Sequence, residues 1–209
     1  MEQGTAEWKA LRAGKATASM FADAIAFKKD GTEMAVRRDY RTQLVVERLT
    51  GKEYGGFTTF AMREGIEREP LARTLFEATT GHYVQQIAFI EHPELLAGCS
   101  PDGLIGDHAG VEIKCPQPPK HFEYLSLAPG AAPAEYMPQV QGALWLTGRQ
   151  SWYFASFNPD FPEPLRLVVR HVQRDEKYIQ ALDVGLRQFL DEVDRDYVTA
   201  LNFTGAIHV

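Results

Sequence analysis

The chain has 209 residues, 44% hydrophobic and 24% charged, with a formal net charge of -6. That length and balance suit a folded protein with a sizeable core. They give no general invitation to nucleic acid and leave no run of about 18 apolar residues to span a membrane.

The N-terminal residues lack the apolar stretch of a secretory signal. The two cysteines, Cys99 and Cys115, make no disulfide framework and do not have zinc-site spacing. One cytoplasmic, soluble domain over 1–209 is expected. Charge is unevenly spread, however. From Arg12 to Lys52 nine basic residues stand against five acidic ones, a local +4 on an otherwise acidic chain. Such a stretch is either a solvated helix face or an electrostatic footprint for a polyanion.

In chain order, 5–26 reads as two short helices around "GKATAS", with Thr17 or Ser19 capping the second. A helix follows over 33–51, with Tyr40, Leu44 and Val45 on one face and Gly51 as its stop. Another is predicted over 60–81. Its apolar face carries Leu71, Leu75 and Phe76, and Pro70 should kink it or mark where its regular part begins. The period then changes to two. Strands are expected over 82–92 and 95–101, and the next strand pair turns through Gly106 to Gly110. A Pro-rich segment with a short helix precedes a helix over 138–148. Strands at 150–157 and 165–172 follow. A closing amphipathic helix carries Tyr178, Leu182, Leu186, Phe189 and Val193 as its stripe. The pattern indicates an α/β or α+β fold.

The run "SPDGLIGDHAGVEIKCP" over 100–116 holds the chemistry. Alternation on a strand points Glu112 and Lys114 to one side and Ile113 to the other. If "GDHAG" is a turn, Asp102 meets Glu112 across it. Two close carboxylates repel, and a divalent cation such as Mg²⁺ (or Mn²⁺ in its place), taking hard oxygen ligands, resolves the repulsion. The Ile113 carbonyl offers a further oxygen. Lys114 can hold or help deprotonate an attacking water and stabilise charge building on phosphorus. The set suits phosphodiester hydrolysis. A strand-edge salt bridge is the plain alternative. Sugar chemistry by paired carboxylates is another, but it leaves Lys114 idle and expects a Trp beside the carboxylates. Trp145 and Trp152 lie instead in core-like patterns.

These residues carry a resemblance. "SPDG…VEIKCP" resembles the nuclease motif of the PD-(D/E)XK superfamily, in the form used by phage lambda exonuclease-like alkaline exonucleases. Five further blocks match in order: "EWKALRAGKATAS", "REGIEREPLARTLFEATTG", "YMPQVQGALWLTG", "SWYFASFNPD" and "RDEKYI". The similarity runs from Trp8 to Tyr178. It implies a restriction-endonuclease-like core, a central mixed β-sheet flanked by helices. It also implies a Mg²⁺-dependent enzyme that degrades one strand of linear duplex DNA from 5′ to 3′, leaving 3′ overhangs for a single-strand annealing protein in phage or prophage recombination. By the same resemblance the metal ligands are Asp102, Glu112, the Ile113 carbonyl and Glu69, and Lys114 is the catalytic lysine. Arg12, Ser19, Ser100 and Gln139 form a pocket for a 5′-terminal phosphate. Met62 is the base wedge, and Lys28 or Lys29 tracks the duplex. The family's ring-shaped homotrimer implies that the basic stretch lines a central channel. An endonuclease of the same superfamily, or a DNA-end-binding adaptor that does not cut, are the rival readings.

Overall fold

The structure is a computed structural model; it describes residues 3–54 and 60–203, the side chains of 61 and 62 excepted. It opens with α1 (Ala6–Arg12), a two-residue strand β1 (Ala16–Thr17), a 3-10 turn, and α2 (Phe21–Ala24). The "GKATAS" link therefore holds a strand, and neither hydroxyl caps the second helix. Met20 is the N-cap of α2, and Thr17, at the N-cap of the 3-10 turn, makes no capping bond. The helix α3 (Ala35–Thr50) ends at Gly51, whose φ of 67° suits a residue without Cβ.

The helix α4 (Phe60–Thr80) is continuous through Pro70. Pro70 and Ile66 both face solvent, so water can take the carbonyl that the missing N–H leaves free. The buried face of α4 differs by one position from the expected one. Ala72 and Phe76 are buried, with Leu75 packed beside them, while Leu71 is exposed.

Two mixed sheets follow from the pairing. The smaller joins β1, β3 (Ala97–Cys99) and β2 (Ile90–Glu91) in that order. The larger runs β4 (Gly103–Ile105), β5 (Ala109–Lys114), β6 (Ser151–Phe157) and β7 (Leu167–Gln173). β4–β5 and β6–β7 are antiparallel hairpin partners, whereas β5 and β6 are parallel. A parallel pair needs a crossover; here it carries α5 (Pro118–Leu125) and α6 (Met137–Thr147). The chain closes with α7 (Glu176–Leu201), capped by Asp175, which accepts from the Tyr178 N–H.

Each face of the large sheet has its own apolar layer. Trp152 and Phe154 belong to a core with Phe21, Leu144, Leu186 and Phe189. Val111, Ile113, Ala155 and Phe157 pack with Ala72 and Phe76 of α4. Strand alternation thus drives Ile113 into the α4 layer and leaves Glu112 and Lys114 on the α6 side. Trp152 lies over Gly110, where an added Cβ would come within 2.4 Å of its ring.

Part of the basic stretch is consumed within the fold. Arg37 is buried and reaches both Glu33 and Glu192 at 2.6 Å. Arg41 pairs with Glu33, with Glu192 and with Asp196, and Arg48 pairs with Asp194. Three of the nine cations therefore bind α3 to α7, which corrects the expectation that the stretch as a whole is offered to DNA. Lys28 and Lys29 lie on the exposed turn before Gly31 and make no ion pair among the described residues.

Candidate active site and end-binding pocket

Asp102 leaves β4 on its N-terminal side, while Glu112 and Lys114 close β5. The hairpin folds them together. Asp102 Oδ2 accepts the Ile113 N–H at 2.6 Å, which fixes the Ile113 backbone between the two acidic side chains. Lys114 Nζ donates to Glu112 Oε1 at 2.7 Å. The expected meeting of Asp102, Glu112 and Lys114 is present, at the carboxyl end of a parallel strand, where open α/β sheets commonly place their ligand sites.

The electrostatics are unbalanced. Burial pushes the Asp102 carboxyl well up, Glu112 pushes it further, and Glu69 adds to the same effect. Burial works against the Lys114 ammonium, but Glu112 and Asp102 outweigh it and hold the proton more firmly than usual. Lys114 is thus a donor in this arrangement. Glu69 approaches from α4 and is engaged by Arg73 at 2.8 Å. With Glu69 so occupied, Asp102 and Glu112 share the one ammonium of Lys114.

Among the described residues, no three His, Cys, Asp or Glu side chains converge closely enough to hold a metal by themselves. The donor set still fits a hard divalent cation in charge and type. Asp102 and Glu112 supply carboxylate oxygens, the Ile113 backbone lies between them, and the remaining ligands of such an ion are ordinarily water and phosphate oxygens.

Beside this cluster lies a pocket of about 130 Å³. Arg12, Ser19, Ser100 and Gln139 all line it, together with Glu112, Trp8 and Gln3. Four residues spread over 128 positions of sequence thus meet in one cavity. Arg12 comes from the end of α1. Its guanidinium stacks 3.9 Å from the Trp8 ring and stands 3.8 Å from Glu53. Arg12 Nε is buried without a hydrogen-bond partner. Ser100 Oγ accepts from Trp8 Nε1 at 3.0 Å, which leaves the hydroxyl proton for another acceptor. Gln139 Nε2 donates to Glu112 Oε1 at 2.5 Å.

The pocket wall is positioned from α3. Buried Glu47 accepts the Gly14 N–H at 2.8 Å, and Tyr40 Oη accepts the Thr17 N–H at 3.0 Å. Gly14 has φ 75°, and an added Cβ would come within 2.6 Å of Arg48. α1 is thereby turned so that Arg12 faces Ser100.

Sequence reasoning missed three contributors. Trp8 carries a signal only as part of a matching block, Gln3 carries none, and Tyr136 does not stand out from its neighbours. The Lys114 ammonium lies 4.9 Å from the Tyr136 ring centroid, and Tyr136 stacks on Phe154. Lys28 and Lys29 are on a separate exposed turn and do not line the pocket. The side chain of Met62 lies outside the described residues. Cys99 is buried and Cys115 half-buried, both as free thiols. Burial, then the nearby carboxylates Glu69 and Asp102, push the Cys115 thiol up to about 12. No described helix is long and apolar enough to cross a membrane.

A family model described as a YqaJ-like viral recombinase domain matches residues 7–150. The crystal structure of an alkaline exonuclease, LHK-Exo from Laribacter hongkongensis, is 34% identical and superposes with a TM-score of 0.85. The match covers 94% of this chain and 96% of that one. The same protein solved in complex with dAMP matches equally well. A phage related exonuclease from Haemophilus somnus 129PT shares the fold, with a TM-score of 0.71 at 15% identity over 90% of this chain and 96% of its own. The uncharacterized protein ExoD of Escherichia coli (strain K12) is 37% identical over 65 residues, which is 31% of this chain and 72% of that protein.

Proposed function

Because this chain belongs to the YqaJ-like viral recombinase family, we propose that it is a DNA exonuclease of recombination that depends on Mg²⁺ and removes nucleotides from the 5′ end of one strand of linear duplex DNA. One observation carries the reading: the Asp102, Glu112 and Lys114 cluster shares a wall, Glu112, with a pocket built from Arg12, Ser19, Ser100 and Gln139. A terminal phosphate held in that pocket sets the next phosphodiester beside the carboxylates.

The roles follow from chemistry. Asp102 and Glu112, with Glu69 nearby and the Ile113 carbonyl, would hold Mg²⁺ or Mn²⁺. When bound, that ion supplies an activated water and neutralises phosphoryl charge. Lys114 donates to the oxygens on which charge develops. Arg12 offers a guanidinium, and Ser19, Ser100 and Gln139 offer hydroxyl and amide donors, to the 5′-phosphate. Met62 as a base wedge and Lys28 or Lys29 as duplex contacts belong to the same proposal. So do a 3′ overhang passed to a single-strand annealing protein, a ring-shaped homotrimer, and a phage or prophage origin in a bacterial cytoplasm.

The test is digestion of linear duplexes labelled at either 5′ or 3′ ends, beside a closed circle, in Mg²⁺ and in chelator. Early release of the 5′ label from linear DNA in Mg²⁺ alone is expected. Cutting of the circle would make the chain an endonuclease. End binding without turnover would make it an adaptor.

A further inference from the structure

The pocket has an odd wall for an anion site. Arg12 is the cation among its described lining residues, and Glu112 is a carboxylate. Those two charges cancel, yet a phosphate monoester brings about -1.5 to -2. Lys114 donates to the same Glu112 carboxylate, and Arg12 already stands 3.8 Å from Glu53, so the wall offers the phosphate no surplus of positive charge.

We infer that the metal and the DNA end bind in order, coupled through Glu112: the pocket accepts a 5′-phosphate once a divalent cation has been taken up by the carboxylates. This rests on the reading of the pocket given above. A divalent ion adds two positive charges to that wall. Glu112 then attracts the phosphate through its ion instead of repelling it. Gln139 stands at the junction: its amide already donates to Glu112 Oε1 at 2.5 Å, and its second N–H is available to a phosphate in the cavity it lines. Linkage makes the coupling reciprocal, so a bound 5′-phosphate tightens the ion by the same factor. An end that arrives before the metal is released, and an end that arrives after it is retained beside a charged centre.

The test is calorimetric and needs no turnover. Titrating dAMP into the full chain in Mg²⁺ and in chelator should show tightening by Mg²⁺ of at least about tenfold. Glu112→Gln removes the charge at constant size. It should bind dAMP in chelator more tightly than the wild type does, and its response to Mg²⁺ should vanish. Equal wild-type affinity with and without Mg²⁺ overturns the ordering while leaving the pocket intact. Tightening that persists in Glu112→Gln also overturns it, because it assigns the effect to Mg²⁺ and dAMP meeting in solution. Failure of dAMP to bind under either condition removes the pocket itself, and the ordering with it. Equal wild-type affinities overturn the ordering even if the variant does not fold, and Asp102→Asn, with the same loss of the Mg²⁺ response expected, then takes the place of Glu112→Gln as the control.

Discussion

Replacing Arg12 by Ala tests the end-binding pocket most sharply. Arg12 is half-buried, its Nε has no partner, and its nearest carboxylate, Glu53, is 3.8 Å away. The protein therefore uses little of its hydrogen-bonding capacity. A charge-assisted hydrogen bond contributes about 1.5–3 kcal/mol, and each 1.36 kcal/mol is a factor of ten. The specificity constant on 5′-phosphorylated ends should therefore fall by about 10- to 150-fold. On 5′-hydroxyl ends it should fall far less, by the loss of the Trp8 stack alone, about 0.5–1 kcal/mol at an exposed site. Arg12→Lys should fall between, since an ammonium keeps the charge but not the planar fork. The assay is initial-rate digestion of matched duplexes that differ in that phosphate. An equal loss on both kinds of end would refute the reasoning, because Arg12 would then be supporting the fold and not reading the phosphate.

Lys114→Ala should abolish cleavage yet leave the circular-dichroism spectrum and DNA-end binding close to wild type; near-normal turnover would remove Lys114 from the chemistry. Gly110→Ala should lower stability by about 1–3 kcal/mol in urea melts, because its Cβ would press into the Trp152 ring within the sheet. Burial raises the Glu33 and Glu192 carboxyls, but hydrogen bonds and charge from Arg37 and Arg41 outweigh it, and both end below the usual range. A depressed folded pKa contributes stability above the unfolded pKa and loses it as pH falls through the folded one. Glu192→Gln should therefore melt lower than wild type at pH 7, with the gap closing below about pH 4; a gap independent of pH would contradict that sign. Light scattering coupled to gel filtration should give three times the chain mass at micromolar concentration, and a persistent 23.5 kDa species would exclude the ring.

Much of the site was legible because its signals are local. Glu112 and Lys114 two apart on a strand need only alternation, and Gly106 announces the turn that returns Asp102 to them. The hidden parts depend on distance along the chain or on size. A two-residue strand such as β1 is too short to show a period. Arg41 and Asp196 are 155 positions apart, so no window around the basic stretch could reveal that α7 neutralises it. On α4 the helix period placed Leu71 in the core, but Ala72 is the buried residue and Leu71 faces solvent. The Glu112–Gln139 bond joins β5 to α6, a helix of the crossover that follows it, and each residue alone reads as an ordinary polar position.

The pairing of α3 with α7 bears on how DNA is held in salt. Affinity from phosphate contacts comes from displaced counterions, and its salt dependence steepens with the number of phosphates neutralised. Arg37, Arg41 and Arg48 are already matched by carboxylates of the same chain, so they displace none. From this stretch, Lys28, Lys29, Arg38 and Lys52 are exposed toward solvent, a contribution of about -3.6 to the logarithmic salt slope per chain if each meets one phosphate. Raising the salt should therefore cost this protein far less affinity than nine basic residues in one fifth of its length would suggest.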